Sequence, residues 1–165
     1  MSVDGQHVIE QLAAHARRFA ESGGVPAVPR IAATVLLLRP AAAGFEVYLL
    51  RRRTNLAFAG GMYAFPGGAV EPADHDGVPV PGTWGECLGR PEPEARAVLR
   101  AAAREVAEET GVRLDVGGLV PWARWLTPEF EPRRYDTYFF LAELPAGQHP
   151  AEPAGSDGEA DRAVW

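Results

Sequence analysis

Residues 104–112 read REVAEETGV, and upstream residues 65–74 read FPGGAVEPAD. The first stretch sets Glu105, Glu108 and Glu109 at i, i+3 and i+4, which is one face of any helix that carries them. A helix is expected there: nothing from about 94 to 110 breaks one, Ala95, Val98, Leu99, Ala102 and Val106 form an apolar stripe, and Gly111 follows as a terminator. The three carboxylates lie off that stripe. Like charges at this spacing repel by roughly a few tenths of a kcal/mol, and the C-terminal end of a helix dipole disfavours anions further. A solvated helical face tolerates such a triplet idly. A divalent cation reverses the balance, and hard cations choose carboxylate oxygens while leaving positions open for phosphate oxygens. Arg104 stands four residues before Glu108, placed to brace that carboxylate through a forked hydrogen bond.

The second stretch carries Gly67 and Gly68 behind Pro66. Backbone without a β-carbon can approach other groups closely, and a free carbonyl in such a turn is one more oxygen ligand. An ordinary β-turn is the plainer reading of Gly-Gly.

The whole chain limits what this site can serve. Its 165 residues suit one domain with a real core, and 47% hydrophobic against 23% charged residues is a globular composition. A net charge of −6 argues against a nucleic-acid backbone as partner, although a few local arginines suffice for a nucleotide-sized anion. The single cysteine, Cys87, leaves no internal disulfide and fits a reduced compartment, read here as the cytoplasm. No apolar run approaches bilayer length, and the N-terminus MSVDGQHVIE lacks the form of a signal peptide, so no membrane partner is expected.

Periodicity orders the rest. A helix is expected over 7–20, closed by the breaker ESGGVPAVP. RIAATVLLLR (30–39) and FEVYLLRRR (45–53) read as a hairpin, with a short strand around 62–65. Residues 72–93 are rich in Pro and Gly and read as an inserted loop. LVPWARWLT and YDTYFFLAEL are further strands; RAVW opens another as the sequence stops, which reads as a C-terminus cut short. The division expected is a helical extension at 1–29 and one domain over 30–165.

Together the two opening stretches resemble the Nudix hydrolases, whose box has the form GxxxxxE, a short spacer, then REUxEExGU with U aliphatic. Gly68 stands as the opening glycine, and Arg104 to Val112 matches the second half at every specified position. Asp74 stands where the box has glutamate, and it precedes Arg104 by about 22 residues more than usual, a loop extension of modest entropic cost. Such an interrupted box resembles that of the peroxisomal-type coenzyme A diphosphatases, as do RRRTNLAFAGGMYAFPGGAVEPAD, with Arg52 and Phe58, and WLTPEFEPRRYDTYFF. The resemblance implies an α/β fold: an α/β/α sandwich with a mixed sheet and a loop–helix–loop catalytic motif. It implies a metal-dependent enzyme that splits a nucleoside diphosphate linked to another moiety, with coenzyme A or acyl-CoA giving 3′,5′-ADP and phosphopantetheine or its acyl form. ADP-ribose or NADH as substrate, or a silent nucleotide-binding module, are the alternatives.

On that reading Glu105, Glu108 and Glu109, with the Gly68 carbonyl, hold Mg²⁺ or Mn²⁺, and Glu108→Gln abolishes metal-dependent turnover. The base is a box glutamate or one of Glu152, Glu159 and Asp161. Arg52, Phe58, Arg133 and Arg134 are the expected substrate contacts, since an arginine fork matches two phosphate oxygens. Tyr63 and Trp125 serve packing or substrate stacking. His7, His15, His75 and His149 have no metal-like partner at i+4, and Cys87 has no neighbouring base. Many members pair through N-terminal elements, so the 7–20 helix is the expected contact of a homodimer.

Overall fold

The computed structural model describes residues 5–54, 60–153 and 160–165. Its elements, in chain order, are α1 (Gly5–Glu21), β1 (Arg30–Ala41), β2 (Gly44–Val47), β3 (Leu49–Arg52), β4 (Tyr63–Ala64), β5 (Gly67–Ala69), α2 (Gly85–Leu88), α3 (Glu92–Thr110), β6 (Val120–Leu126), β7 (Tyr135–Glu143) and β8 (Ala160–Val164), with 3-10 turns at Pro72–His75 and Val116–Gly118.

Strand β1 organises them. Its β-branched and leucine-rich run alternates, so that Ala33, Val35 and Leu37 are fully buried while Thr34 and Leu36 face the other way. β5 pairs antiparallel with its first half and β2 with its second, while β7 runs parallel to it from Arg30↔Tyr135 to Leu38↔Glu143. A parallel pair requires a crossover, and α3 lies on it. The helix lays Val98, Leu99, Ala102 and Val106, all fully buried, against β1 and β5. Truncating a side chain such as Leu99 to alanine therefore costs about 2–5 kcal/mol. Gly111 closes the helix at φ 74, its N–H donating to the Ala107 carbonyl at 2.9 Å. The larger sheet is thus mixed, in the order β2-β1-β7-β6 with β5 beside β1, and a second sheet runs β4-β3-β8.

Two expectations are corrected. The run 45–53 is not one arm of a hairpin. β2 completes the hairpin with β1, then the chain changes sheets at Tyr48, and β3 pairs with β4 and β8. Tyr48 is only 2% exposed; its N–H donates to the Leu37 carbonyl and its hydroxyl to the Ala151 carbonyl at 3.3 Å. The corner is therefore fixed by a buried side chain whose partner lies far along the sequence. Nor is 72–93 plain loop. It holds the 3-10 turn, α2 and the first two residues of α3, which begins at Glu92 rather than 94. The Glu92 carboxylate accepts the N–H groups of Trp84 (2.9 Å) and Gly85 (2.6 Å), so one side chain ties α2 to α3. No described helix is long and apolar enough to cross a membrane.

Candidate active site

The two sheets leave a cleft of about 580 Å³ between them, and Gly68, Glu105 and Glu109 of the two opening stretches sit along it. The larger sheet contributes Thr34, Tyr135 and Thr137, the smaller one Leu50 and Arg52, and α3 contributes Glu105 and Glu109. Gly67 and Gly68 line it too. They belong to strand β5, paired with Thr34 and Ala33, and not to the turn expected from Gly-Gly.

Their lack of a β-carbon is required by what lies opposite. A β-carbon on Gly68 would overlap the Glu105 carboxylate, whose Oε2 would be 2.8 Å away. One on Gly67 would strike the backbone of β1, at 2.7 Å from the Thr34 Cα. The Gly67 N–H donates to Glu109 Oε2 at 2.9 Å. So α3 and β5 meet through carboxylates against bare backbone, with the Glu105 and Glu109 side chains on the cleft side.

Arg104 holds the cluster together, though not as its spacing implied. Its fork grips Asp74, with Nε to Oδ1 and Nη2 to Oδ2 both at 3.0 Å, rather than Glu108. Its Nη1 donates to Glu105 Oε1 at 2.9 Å and to Glu108 Oε2 at 3.2 Å, and Nη2 also donates to the Ala69 carbonyl. Asp74 is buried in the 3-10 turn, where its Oδ2 also accepts the Glu71 N–H. A salt bridge across thirty positions therefore joins the 3-10 turn after β5 to α3.

Three carboxylates thus share one guanidinium. Burial pushes the Glu105 carboxyl above the usual range, with Arg104 opposing and Glu108 and Glu71 adding to the rise. Glu108 is solvent-facing and does not line the cleft. Among the described residues no three acidic, histidine or cysteine side chains converge tightly enough to cage an ion unaided. The donor set nevertheless fits a hard divalent cation: excess carboxylate charge beside a strand that glycine keeps open to close approach. A hexacoordinate ion also draws on water and substrate phosphate for its remaining ligands.

Among the other expected contacts, Arg52 and Arg133 line the cleft. Arg134 does not: only 9% exposed, it donates from Nε to the Thr127 carbonyl and from Nη1 to the Ala27 carbonyl, pinning the connection between β6 and β7 to the segment before β1. Phe58 and Glu159 lie outside the described residues. Asp161 is held by Arg51 at 2.7 Å, first through that hydrogen bond, and its carboxyl is lowered accordingly. Glu152 is exposed. Cys87 is exposed on α2, and His15 packs its ring on Phe130. Thr34, Tyr135 and Thr137 were not foreseen in the cleft; strand alternation alone does not say which face of β1 and β7 meets the second sheet.

Comparison with known proteins agrees with this geometry. The Nudix domain pattern matches residues 74–165, more than half of the chain. A Nudix hydrolase from Alicyclobacillus acidocaldarius shares 29% identity and superposes with a TM-score of 0.64, over 84% of this chain and 78% of that one. The fold recurs in a MutT protein from Methanosarcina mazei Go1 (22% identity, TM-score 0.53, 83% and 76% covered). It recurs also in the Nudix domain of Shewanella oneidensis NrtR, solved with ADP ribose (14% identity, TM-score 0.56, 84% and 73% covered). No curated protein matches the sequence. The chain belongs to the Nudix family, as a hydrolase of the pyrophosphatase kind whose class works on small nucleotide substrates with divalent metal ions.

Proposed function

We propose that the enzyme cleaves the diphosphate of coenzyme A or acyl-CoA, releasing 3′,5′-ADP and phosphopantetheine or its acyl form. The observation that carries this reading is the Arg104–Asp74 fork. An aspartate thirty positions upstream is nevertheless buried and gripped by Arg104, which supports reading the box as one lengthened in the manner of the coenzyme A branch. Glu105, Glu108 and Glu109, with the Gly68 carbonyl, would hold Mg²⁺ or Mn²⁺. When bound, the ion neutralises the diphosphate and lowers the pKa of water.

The chain's own groups do the rest. Arg52 and Arg133 line the cleft where diphosphate oxygens would rest, and guanidinium forks suit them. Arg104 keeps Glu105 and Glu108 oriented. A water attacks one phosphorus in line, the bond to the bridging oxygen breaks, and a carboxylate takes the water's proton. Asp161 is the weaker choice for that base, because its bond with Arg51 makes it less basic. A box glutamate, Glu152 or Glu159 remains.

A panel of coenzyme A, acetyl-CoA, ADP-ribose and NADH, each with Mg²⁺ and followed chromatographically, tests the reading. The expected product is 3′,5′-ADP from the first two. Efficient cleavage of ADP-ribose or NADH with both coenzyme A and acetyl-CoA untouched overturns it.

A further inference from the structure

Beside the cleft, and sharing Phe65 with it, lies a second hollow of about 370 Å³ lined by Leu36, Phe65, Trp122, Trp125 and Phe139. It continues the same face of the larger sheet. Thr34 and Leu36 alternate to one side of β1, Thr137 and Phe139 to one side of β7, and Trp125 is the cross-strand partner of Thr137. A β-bulge between Pro121 and Ala123 leaves Trp122 as the extra residue of β6. In a regular strand positions 122 and 125 point to opposite faces; the bulge lets both indoles border one hollow. Trp122 is 67% and Trp125 74% exposed, and the Trp125 ring leans on Phe139 at 6.3 Å between centroids.

The hollow offers little to read a nucleobase. Its one charged side chain, Arg124, already donates to both oxygens of Asp136, at 2.7 and 2.8 Å. An alkyl chain needs no hydrogen-bond partner, only apolar surface.

We propose that this hollow receives the acyl chain of an acyl-CoA whose diphosphate lies in the adjoining cleft, which makes Trp122 and Trp125 specificity-determining residues. The inference rests on the coenzyme A reading above. Calorimetry on the metal-free protein, where no turnover competes, compares coenzyme A with octanoyl-CoA; kcat/KM for both is measured with Mg²⁺. Octanoyl-CoA is expected to bind at least about tenfold more tightly, equivalent to burying roughly two methylenes. Trp122→Ala with Trp125→Ala should reduce that preference to within about twofold. The Phe pair, Trp122→Phe with Trp125→Phe, should retain most of it.

Equal binding of the two ligands by the unaltered protein, or a preference untouched by the alanine pair, overturns the inference alone. So does a dimer that dissociates on the same substitutions, since the indoles would then serve a second copy. Cleavage of ADP-ribose with neither coenzyme A compound bound or cleaved defeats the coenzyme A reading, and the inference with it.

Discussion

Two buried aspartates, each 4% exposed and each gripped by arginine, end in opposite electrostatic situations. Asp136 on β7 accepts from both Arg90 and Arg124, and Arg90 also reaches Glu94 and the Tyr138 hydroxyl. Two cations there face two carboxylates. Asp74 is paired with Arg104, which must also serve Glu105 and Glu108, and otherwise accepts the backbone N–H of Glu71. One cation there faces three carboxylates, with Glu109 close by on Gly67. The first cluster is balanced and ties the segment leading into α3 to the sheet. The second carries surplus negative charge at the edge of a cleft, and that surplus gives a divalent cation a reason to bind. A carboxylate cluster is informative about function when its local cations fail to match it.

The largest expected effect bears on the unbalanced cluster. Glu108→Gln and Glu109→Gln should each lower kcat/KM by at least about 100-fold. In the same proteins the rise in Tm that Mn²⁺ gives the unaltered enzyme, about 2.7 kcal/mol of stabilisation at a hundredfold excess over Kd, should shrink or vanish. Retained turnover in both variants would remove the metal role. Arg104→Ala comes next. It leaves Asp74 buried and unpaired, which should cost about 3 kcal/mol by chemical denaturation and lower activity as well. An unchanged midpoint would mean that the fork contributes nothing.

The adjacent glycines should separate the two kinds of damage. Gly67→Ala drives a methyl into the β1 backbone and should lose about 1–3 kcal/mol of stability. Gly68→Ala meets only the end of a flexible glutamate, so its main effect should fall on turnover, through displaced Glu105. If both variants lose stability alike, the assignment of Gly68 to the site weakens.

The smallest effect is in the pH dependence of the metal-free protein. The Asp136 carboxyl is held below the ordinary range, first by the Arg124 hydrogen bond, against burial, with Arg90 adding. Its contribution is complete above the unfolded-state pKa of about 3.9 and drains away as pH falls from there toward the depressed folded value. Glu105, raised by burial, has the opposite sign: its ionisation costs stability as pH climbs from about 4.3. Tm measured against pH should therefore flatten on the acid side in Asp136→Asn and on the upper side in Glu105→Gln. Parallel curves would erase the distinction.

Much of this was legible in the residues. The span up to Gly111 holds no breaker and carries one apolar stripe, so α3 could be read almost to its ends; β1, β6 and β7 announced themselves by β-branched and aromatic runs. The strand exchange at Tyr48 could not be read, because the carbonyl its hydroxyl reaches, that of Ala151, lies 103 positions further on. The same limit explains the arginines. Helical spacing aims Arg104 at Glu108, but a distant aspartate takes the fork. Arg133 and Arg134 are neighbours of one chemistry, yet one lines the cleft and the other holds backbone carbonyls. Local periodicity fixes which face a side chain is on; only tertiary packing says what waits there.

The wall opposite the glycine strand has a history of its own. β3 reaches its outer neighbour β8 across a separation of 110 residues, sealed by Arg51 on Asp161. Contacts so remote form late, because a long loop must close before they repay its entropy. β1 meets β7 across a similar separation, from Arg30 to Tyr135, so both walls of the cleft wait on remote pairings and catalytic competence trails the local formation of α3.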